Sequence, residues 1–363
     1  MLTWLILKDI IGAAMQNRVY WLDAARAIAI LLVVFTHCHE QAGIWDPFRS
    51  GIFYTIDRLG VPIFFMISGG LILDRIKDVD VFKFYRKRVV QFFVLLVVYS
   101  VLTNVVKISL ETGDVWGSII KSLIDYNGVI NTEEKLGIYG GARQLWFMYS
   151  IIQLYLVAPF IAKLLTDSST KNIIIFTVLC MVFNQVRVTL NTFGYGWDFL
   201  NRLGQDFTGS YLFYFLVGYL IISRDVLKGY NKIFLCAISI MLVVIPSYIL
   251  VSADVQAGKL IGAMHWYNGS IFILLSSVGL LILIKLLFEN TRVRFLEALS
   301  LCSFGIYLSH YAFIYVFKFV QSNYMPAMID IEKAGFYFMA SLITSFGLAL
   351  VMMRVKVLRY FVR

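Results

Sequence analysis

Charge is scarce in this chain. Only 15% of its 363 residues are Asp, Glu, Lys or Arg, where a soluble domain carries about 25%. That excludes a water-exposed surface over most of the molecule. Cysteine is equally sparse. Cys38, Cys180, Cys236 and Cys302 fall in four separate apolar stretches. No CxxC pair and no Cys/His group with ligand spacing occurs, so neither a disulfide framework nor a metal site is expected. The thiols read as buried side chains. Proline is limited to five residues, too few for an extended linker. Three of them, Pro62, Pro159 and Pro246, lie inside apolar stretches, where neighbouring helices can satisfy the carbonyls they free. No repeat of about 20–50 residues and no low-complexity tract appears. The net charge of +10 sits in short runs rather than on one patch. A nucleic-acid partner is therefore not expected.

What the chain has in abundance is apolar length, with 60% of its residues hydrophobic. A bilayer core needs about 20 apolar residues per helix. Ten segments meet or approach that: 21–39, 51–73, 89–110, 145–164, 173–190, 209–223, 233–251, 269–288, 299–320 and 335–353. The fifth and sixth are the shortest. The expected fold is an all-α, polytopic membrane bundle of about ten transmembrane helices. The densest basic run, Arg75, Lys77, Lys83, Arg86, Lys87 and Arg88, belongs on the cytoplasmic side. The remaining loops then alternate with a roughly two-to-one excess of Lys and Arg inside, which places both termini inside. The first 14 residues, MLTWLILKDIIGAA, are broken by Lys8 and Asp9. They make a poor signal peptide. Residues 1–17 read as an interfacial helix, or as an extension upstream of a start at Met15.

Ionisable residues inside a span are costly and mark function by default. The first segment, WLDAARAIAILLVVFTHC, holds Asp23, Arg26 and His37. Arg26 and His37 are eleven residues apart, which places them on one helix face about 16 Å apart along the axis. Asp23 is spaced to pair with Arg26. The alternative is that Arg26 snorkels to the headgroups and His37 lies near the outer interface. His37 and His39 point to different faces, which argues against a metal chelate. Ser68, Gly69 and Gly70 in VPIFFMISGG suit close helix packing. Ser68 lacks the setting of a nucleophile elbow. The fourth segment brings Trp146, Tyr149 and Gln153, with Pro159 bending it around a cavity. The ninth, SFGIYLSH, brings Tyr307 and His310. The outer loops offer Trp116 and Tyr126, then Tyr195, Trp197 and Asp198, then His265, Trp266 and Tyr267. These suit sugar rings or an interfacial aromatic belt.

Taken in order, these strings resemble the membrane-bound acyltransferase-3 family. They are similar in particular to its O-acetyltransferases of bacterial surface polysaccharides, of the enterobacterial-common-antigen type. The carriers are Arg26 with His37, VPIFFMISG, the basic run, LWFMYSIIQLYLVAP and SFGIYLSH. The resemblance runs from about Tyr20 to the tenth segment, so the 363 residues read as one transmembrane domain. Some relatives carry a C-terminal soluble domain, and none is expected after the tenth segment here. The resemblance implies acetyl-CoA as a cytoplasmic co-substrate, with no bound cofactor and no metal. It implies a lipid-linked saccharide or surface polysaccharide as acceptor, at a bacterial inner membrane. It makes His37 the catalytic residue and Arg26 its first-span companion, joined by Asp23 on the same stripe. Arg88, with Arg86, would bind the donor. Where the family has a second arginine three residues after Arg88, this chain has Gln91; Arg86 or Lys87 would substitute. Ser68, Trp146, Gln153, Tyr307 and His310 would line the acceptor cavity.

The chemistry agrees. Moving an acyl group from a thioester to an alcohol needs a base or a nucleophile, and imidazole serves as either. Guanidinium groups suit phosphates. An extended pantetheine arm matches the Arg26–His37 separation. Two other readings remain open from the residues alone: a transporter or flippase of a small solute or lipid-linked sugar, and a structural membrane subunit.

The topology is testable by cysteine accessibility. A cysteine at position 80 should react with impermeant reagent only after the cytoplasmic face is opened. Strong labelling of intact cells from outside would invert the assignment.

Overall fold

A computed structural model describes residues 19–124, 141–203 and 211–362. The interfacial segment expected at 1–17, and Tyr126, lie outside the described residues. The rest is helical. In chain order the main helical segments are α1 Tyr20–Ala42, α2 Pro47–Arg75, α3 Val81–Thr112, α4 Arg143–Thr166, α5 Thr170–Thr192, α6 Leu212–Ser223, α7 Lys232–Ala257, α8 Ile271–Phe288, α9 Arg294–Tyr324 and α10 Asp330–Arg354. Among the described residues nine of these are long and apolar enough to cross a membrane. The tenth, α6, is about 18 Å long, short of the roughly 30 Å hydrocarbon core. It is buried along nearly its whole length, which explains why it reads as apolar on every side.

Several helices run past their expected bounds, and two departures from the sequence expectation have a local reason. The third helix begins at Val81 rather than 89, because the Asp80 carboxylate caps it by accepting from the Lys83 N–H at 2.7 Å. The basic run therefore rides on the first turns of α3, where Lys and Arg are good helix formers. The second segment is not one rod. Helix Pro47–Asp57 stops, Arg58 and Leu59 turn, and a new helix runs Gly60–Ile72.

α1 is the hub, packed against α2, α8, α9 and α10. Ion pairs gather the helix ends into two sets. At the end carrying Arg75–Arg88, Lys232 meets Glu289 at 2.8 Å, Arg292 meets Glu297 at 2.7 Å, and Lys285 meets Asp225. At the opposite end Arg49 meets Asp330 at 3.0 Å. The loops expected inside thus converge on one end, called inner below, and the charge rule assigns it to the cytoplasm. Apolar side chains such as Ile233, Met241, Val244 and Tyr248 of α7 face outward, as expected where lipid is the solvent.

The small residues after Ser68 bring α2 onto α6. A Cβ at Gly69 would run into the Phe215 carbonyl, and one at Gly218 into the Met66 carbonyl. Backbone therefore lies directly on backbone, which no larger residue permits. One turn before Pro159, Tyr85 of α3 donates to the carbonyl of Leu156.

Gly218→Ala should destabilise the bundle by about 1–3 kcal/mol, the ordinary cost of overpacking. Gly335→Ala should be neutral or slightly stabilising, since a Cβ there meets nothing. Thermal unfolding in detergent reads both; equal midpoints would show that the α2–α6 contact is not tight.

Candidate active site

The site grows from the outer end of α1. That helix ends at Gly43, whose φ of +81° gives the left-handed turn that caps it. The last turns thus present His37, Glu40 and Gln41 inside the bundle rather than in a loop. Glu40 is three residues past His37, on the adjacent position of the same face. Its Oε2 lies 3.1 Å from His37 Nδ1. A carboxylate only accepts, so Nδ1 carries the proton and Nε2 keeps its lone pair.

Glu40 is held in turn. Its Oε1 accepts from Tyr54 Oη at 3.0 Å and from Arg58 Nη2 at 2.7 Å. Arg58 sits at the break in α2, and its Nη1 donates to Tyr267 Oη at 3.0 Å. The guanidinium lies 4.6, 5.0 and 5.5 Å from the ring centroids of Tyr54, Trp266 and Tyr267. Trp146 stacks on Tyr267 at 5.3 Å, completing an aromatic box. Burial pushes the Tyr267 phenol above its ordinary range, against the lowering pull of Arg58. Two buried His–carboxylate pairs flank the box: His39 with Asp57 and His265 with Asp254, each at 2.7 Å. All four histidines therefore meet at this end.

The other wall is α9. His310 stacks on His37 with centroids 5.6 Å apart and planes 25° apart. Its Nδ1 donates to the Ile306 carbonyl at 3.0 Å, while its Nε2 is buried without a partner. Tyr311 meets His37 edge-on at 4.9 Å.

Two cavities approach this pair from opposite ends. The inner one, about 200 Å³, is lined by Arg26, Val33, Ser68, Arg88, Tyr155 and Tyr307 among others. The outer one, about 380 Å³, is lined by Gln41, Lys107, Glu111, Arg143, Tyr315 and Lys318. Their registers on the helices are telling. On α1, Val33 lines the inner cavity and Gln41 the outer one, with His37 one turn from each. On α9, Tyr307 lines the inner cavity and Tyr315 the outer one, with His310 and Tyr311 between. From Val33 to Gln41 is about 12 Å. His37, His310 and Tyr311 thus lie between the two cavities and line neither; they are called the septum below.

The residues singled out by sequence separate accordingly. Arg26, Arg88, Ser68 and Tyr307 meet in the inner cavity, and Tyr307 Oη is fixed by the Gln144 carbonyl at 2.8 Å. His37 and His310 form the septum. Asp23 is buried near the inner end of α1 and accepts from Ser300 Oγ at 2.6 Å. On a continuous helix, Asp23 and Arg26 are too far from His37 to touch it; its companions are Glu40 and Arg58. Arg86 lies about 200° around α3 from Arg88 and is exposed. Trp146 belongs to the aromatic box, not to the inner cavity. Gln153 is a correction. The cavity face of α4 is Phe147, Ile151 and Tyr155, at four-residue steps, and Gln153 is exposed on the outside of the bundle. Gln91 is buried and donates to the Tyr360 carbonyl at 3.5 Å. In the loops Trp116, Tyr195 and Trp197 are exposed, while His265 is sequestered by Asp254.

Glu40 and Arg58 were missed. Glu40 could have been read from HCHE, where an acid follows His37 at the i+3 spacing. Arg58 gave no such signal, because only the fold brings it back to α1.

A family model described as an acyltransferase domain matches residues 19–354. The chain belongs to the acyltransferase-3 family. No curated protein and no solved structure gave a significant match. Family membership makes the protein a multi-pass membrane acyltransferase.

Glu40 acts on His37 by position. Glu40→Gln should lower kcat on the order of 10²–10⁴-fold, as loss of an orienting carboxylate does in acyl-transfer triads, with a smaller change in KM. It also strands the Arg58 charge, which costs stability. The double variant Glu40→Gln/Arg58→Gln should recover stability but not turnover. Recovered turnover would show that Glu40 serves only the fold.

Proposed function

We propose that the protein transfers an acetyl group from acetyl-CoA to a sugar hydroxyl of a surface polysaccharide or its lipid-linked precursor, across a bacterial inner membrane. The donor enters from the cytoplasm and the acceptor from the outer side. The observation that carries this reading is the position of His37 on α1 between Val33 of the inner cavity and Gln41 of the outer one. A transporter would need a continuous or alternating path; an enzyme joining two substrates from two sides needs a shared catalytic wall.

In this reading the CoA phosphates lie toward Arg88 and Arg26, which offer planar donor forks. The pantetheine arm follows the inner cavity toward Val33 and Tyr307, bringing the thioester beneath His37. The acceptor hydroxyl approaches from the outer side. His37 Nε2 takes its proton as the oxygen attacks the thioester carbonyl. The C–S bond breaks, and the proton passes to the leaving thiolate. The same lone pair would carry the acetyl group if transfer runs in two steps. Glu40 stabilises the imidazolium in either case, and Arg58 with Tyr54 keeps Glu40 aimed. His310, with its open Nε2, supplies an acceptor beside the reacting hydroxyl.

General-base catalysis contributes about 10²–10⁴-fold. His37→Ala should therefore retain at most about a hundredth of acceptor-dependent CoA release, at matched levels of folded protein. Mass spectrometry of the cell-surface polysaccharide should show the acetyl group lost in the same variant. Near-normal turnover would exclude the mechanism. On the donor side, Arg88→Gln should raise the acetyl-CoA KM about tenfold to a hundredfold, the loss of a charged hydrogen bond, and leave the acceptor KM unchanged. Equal donor saturation in variant and parent would remove Arg88 from the donor site.

A further inference from the structure

The outer cavity has a charge the septum does not explain. Among the described residues, Lys107 of α3, Arg143 of α4 and Lys318 of α9 converge on it against a single carboxylate, Glu111. Three separate helices each contribute a cation at the end of the bundle where cations are least favoured. Glu111 answers only part of this, lying 3.6 Å from Lys107. Arg143 has no ion-pair partner among the described residues.

This charge is wired to the septum. Lys318 Nζ donates to Gln41 Oε1 at 2.9 Å, and Gln41 Nε2 donates to Tyr311 Oη at 3.0 Å. Tyr311 is the ring set edge-on against His37 at 4.9 Å. Tyr315 Oη, on the same wall, donates to the Gly141 carbonyl at 2.9 Å, so the cavity's floor is fixed rather than fluid. Gln41 stands about 6 Å beyond His37 along α1, and Lys318 about 12 Å beyond His310 along α9.

We propose that this cavity binds an anionic group of the acceptor, a phosphate or a carboxylate, and that Arg143 and Lys318 hold it. The inference rests on the acyl-transfer reading for the identity of the ligand as acceptor. The spacing adds a constraint. A hydroxyl within hydrogen-bond reach of His37 Nε2 places the anion about 6–12 Å away along the helix axes, roughly the breadth of one sugar. The acceptor is therefore an acidic saccharide, with its charge on the acetylated residue or the next one. Two sources share that chemistry: the diphosphate of a lipid-linked sugar and the carboxylate of a uronic acid.

The test is binding, which needs no turnover. Full-length protein in nanodiscs is titrated with farnesyl diphosphate, a glucuronate-containing tetrasaccharide and a neutral tetrasaccharide of equal length. One anionic probe should bind more tightly than the neutral one, and its affinity should fall with salt. In Arg143→Gln/Lys318→Gln its Kd should rise about tenfold or more. Lys259→Gln, which removes an exposed cation elsewhere at this end, should bind like the parent, and so should His37→Ala. Which anion binds identifies the source. Equal affinity for charged and neutral probes, or an unchanged Kd in the double variant, would overturn the proposal. A His37→Ala protein that binds normally and still transfers acetyl groups would instead refute the catalytic role of His37 and leave the anion site standing.

Discussion

A carboxylate near the end of a membrane helix must be neutralised, and the way Glu40 is neutralised sets the geometry around it. Its partner Arg58 is itself a buried charge. Each ion alone would be expensive in low dielectric, and together they are tolerable only with good geometry and extra hydrogen bonds. Tyr54 and Tyr267 supply those bonds, and three aromatic faces cover the guanidinium. That arrangement demands a break in α2 at Arg58, a loop that returns Trp266 and Tyr267, and a capped end to α1 at Gly43. The ion pair thus ties three parts of the chain to the turn that carries His37.

Rigidity at this turn matters because the wall it belongs to lies between two cavities. His37 is backed by His310 and Tyr311, and on their helices His37 and Tyr311 stand four residues from a lining residue of each cavity. A small rotation of α1 would open His37 to one side and close it to the other. The close α2–α6 packing through Gly69 and Gly218 serves the same end, since it fixes the helix that bears both Ser68 and Arg58.

The two cavities also differ in kind. The inner one is mostly apolar, with Arg26 and Arg88 among its lining residues. The outer one mixes charged and polar side chains with Leu110 and Phe319. The asymmetry follows from where each cation sits: Arg26 and Arg88 at the inner end, Lys107, Arg143 and Lys318 at the outer.

Much of this was legible in the residues. Apolar runs of about 20 residues can only be membrane helices when charge is this sparse, because hydrocarbon leaves the backbone no other partner. The stripe from Arg26 to His37 follows from helix geometry alone, and so does the close packing at Gly69 and Gly70. What sequence could not supply was anything depending on return of the chain. Arg58 belongs to His37 only because α2 breaks and folds back. Gln153 looked like a cavity residue, yet α4 turns its Phe147–Ile151–Tyr155 face inward, and which face of an apolar helix is inner is set by its neighbours rather than by its composition. The sequence by itself determined the helical, membrane-spanning nature of the chain. Tertiary structure decided which charges meet, because hydrophobic length is a local property and the pairing of two buried ions is not.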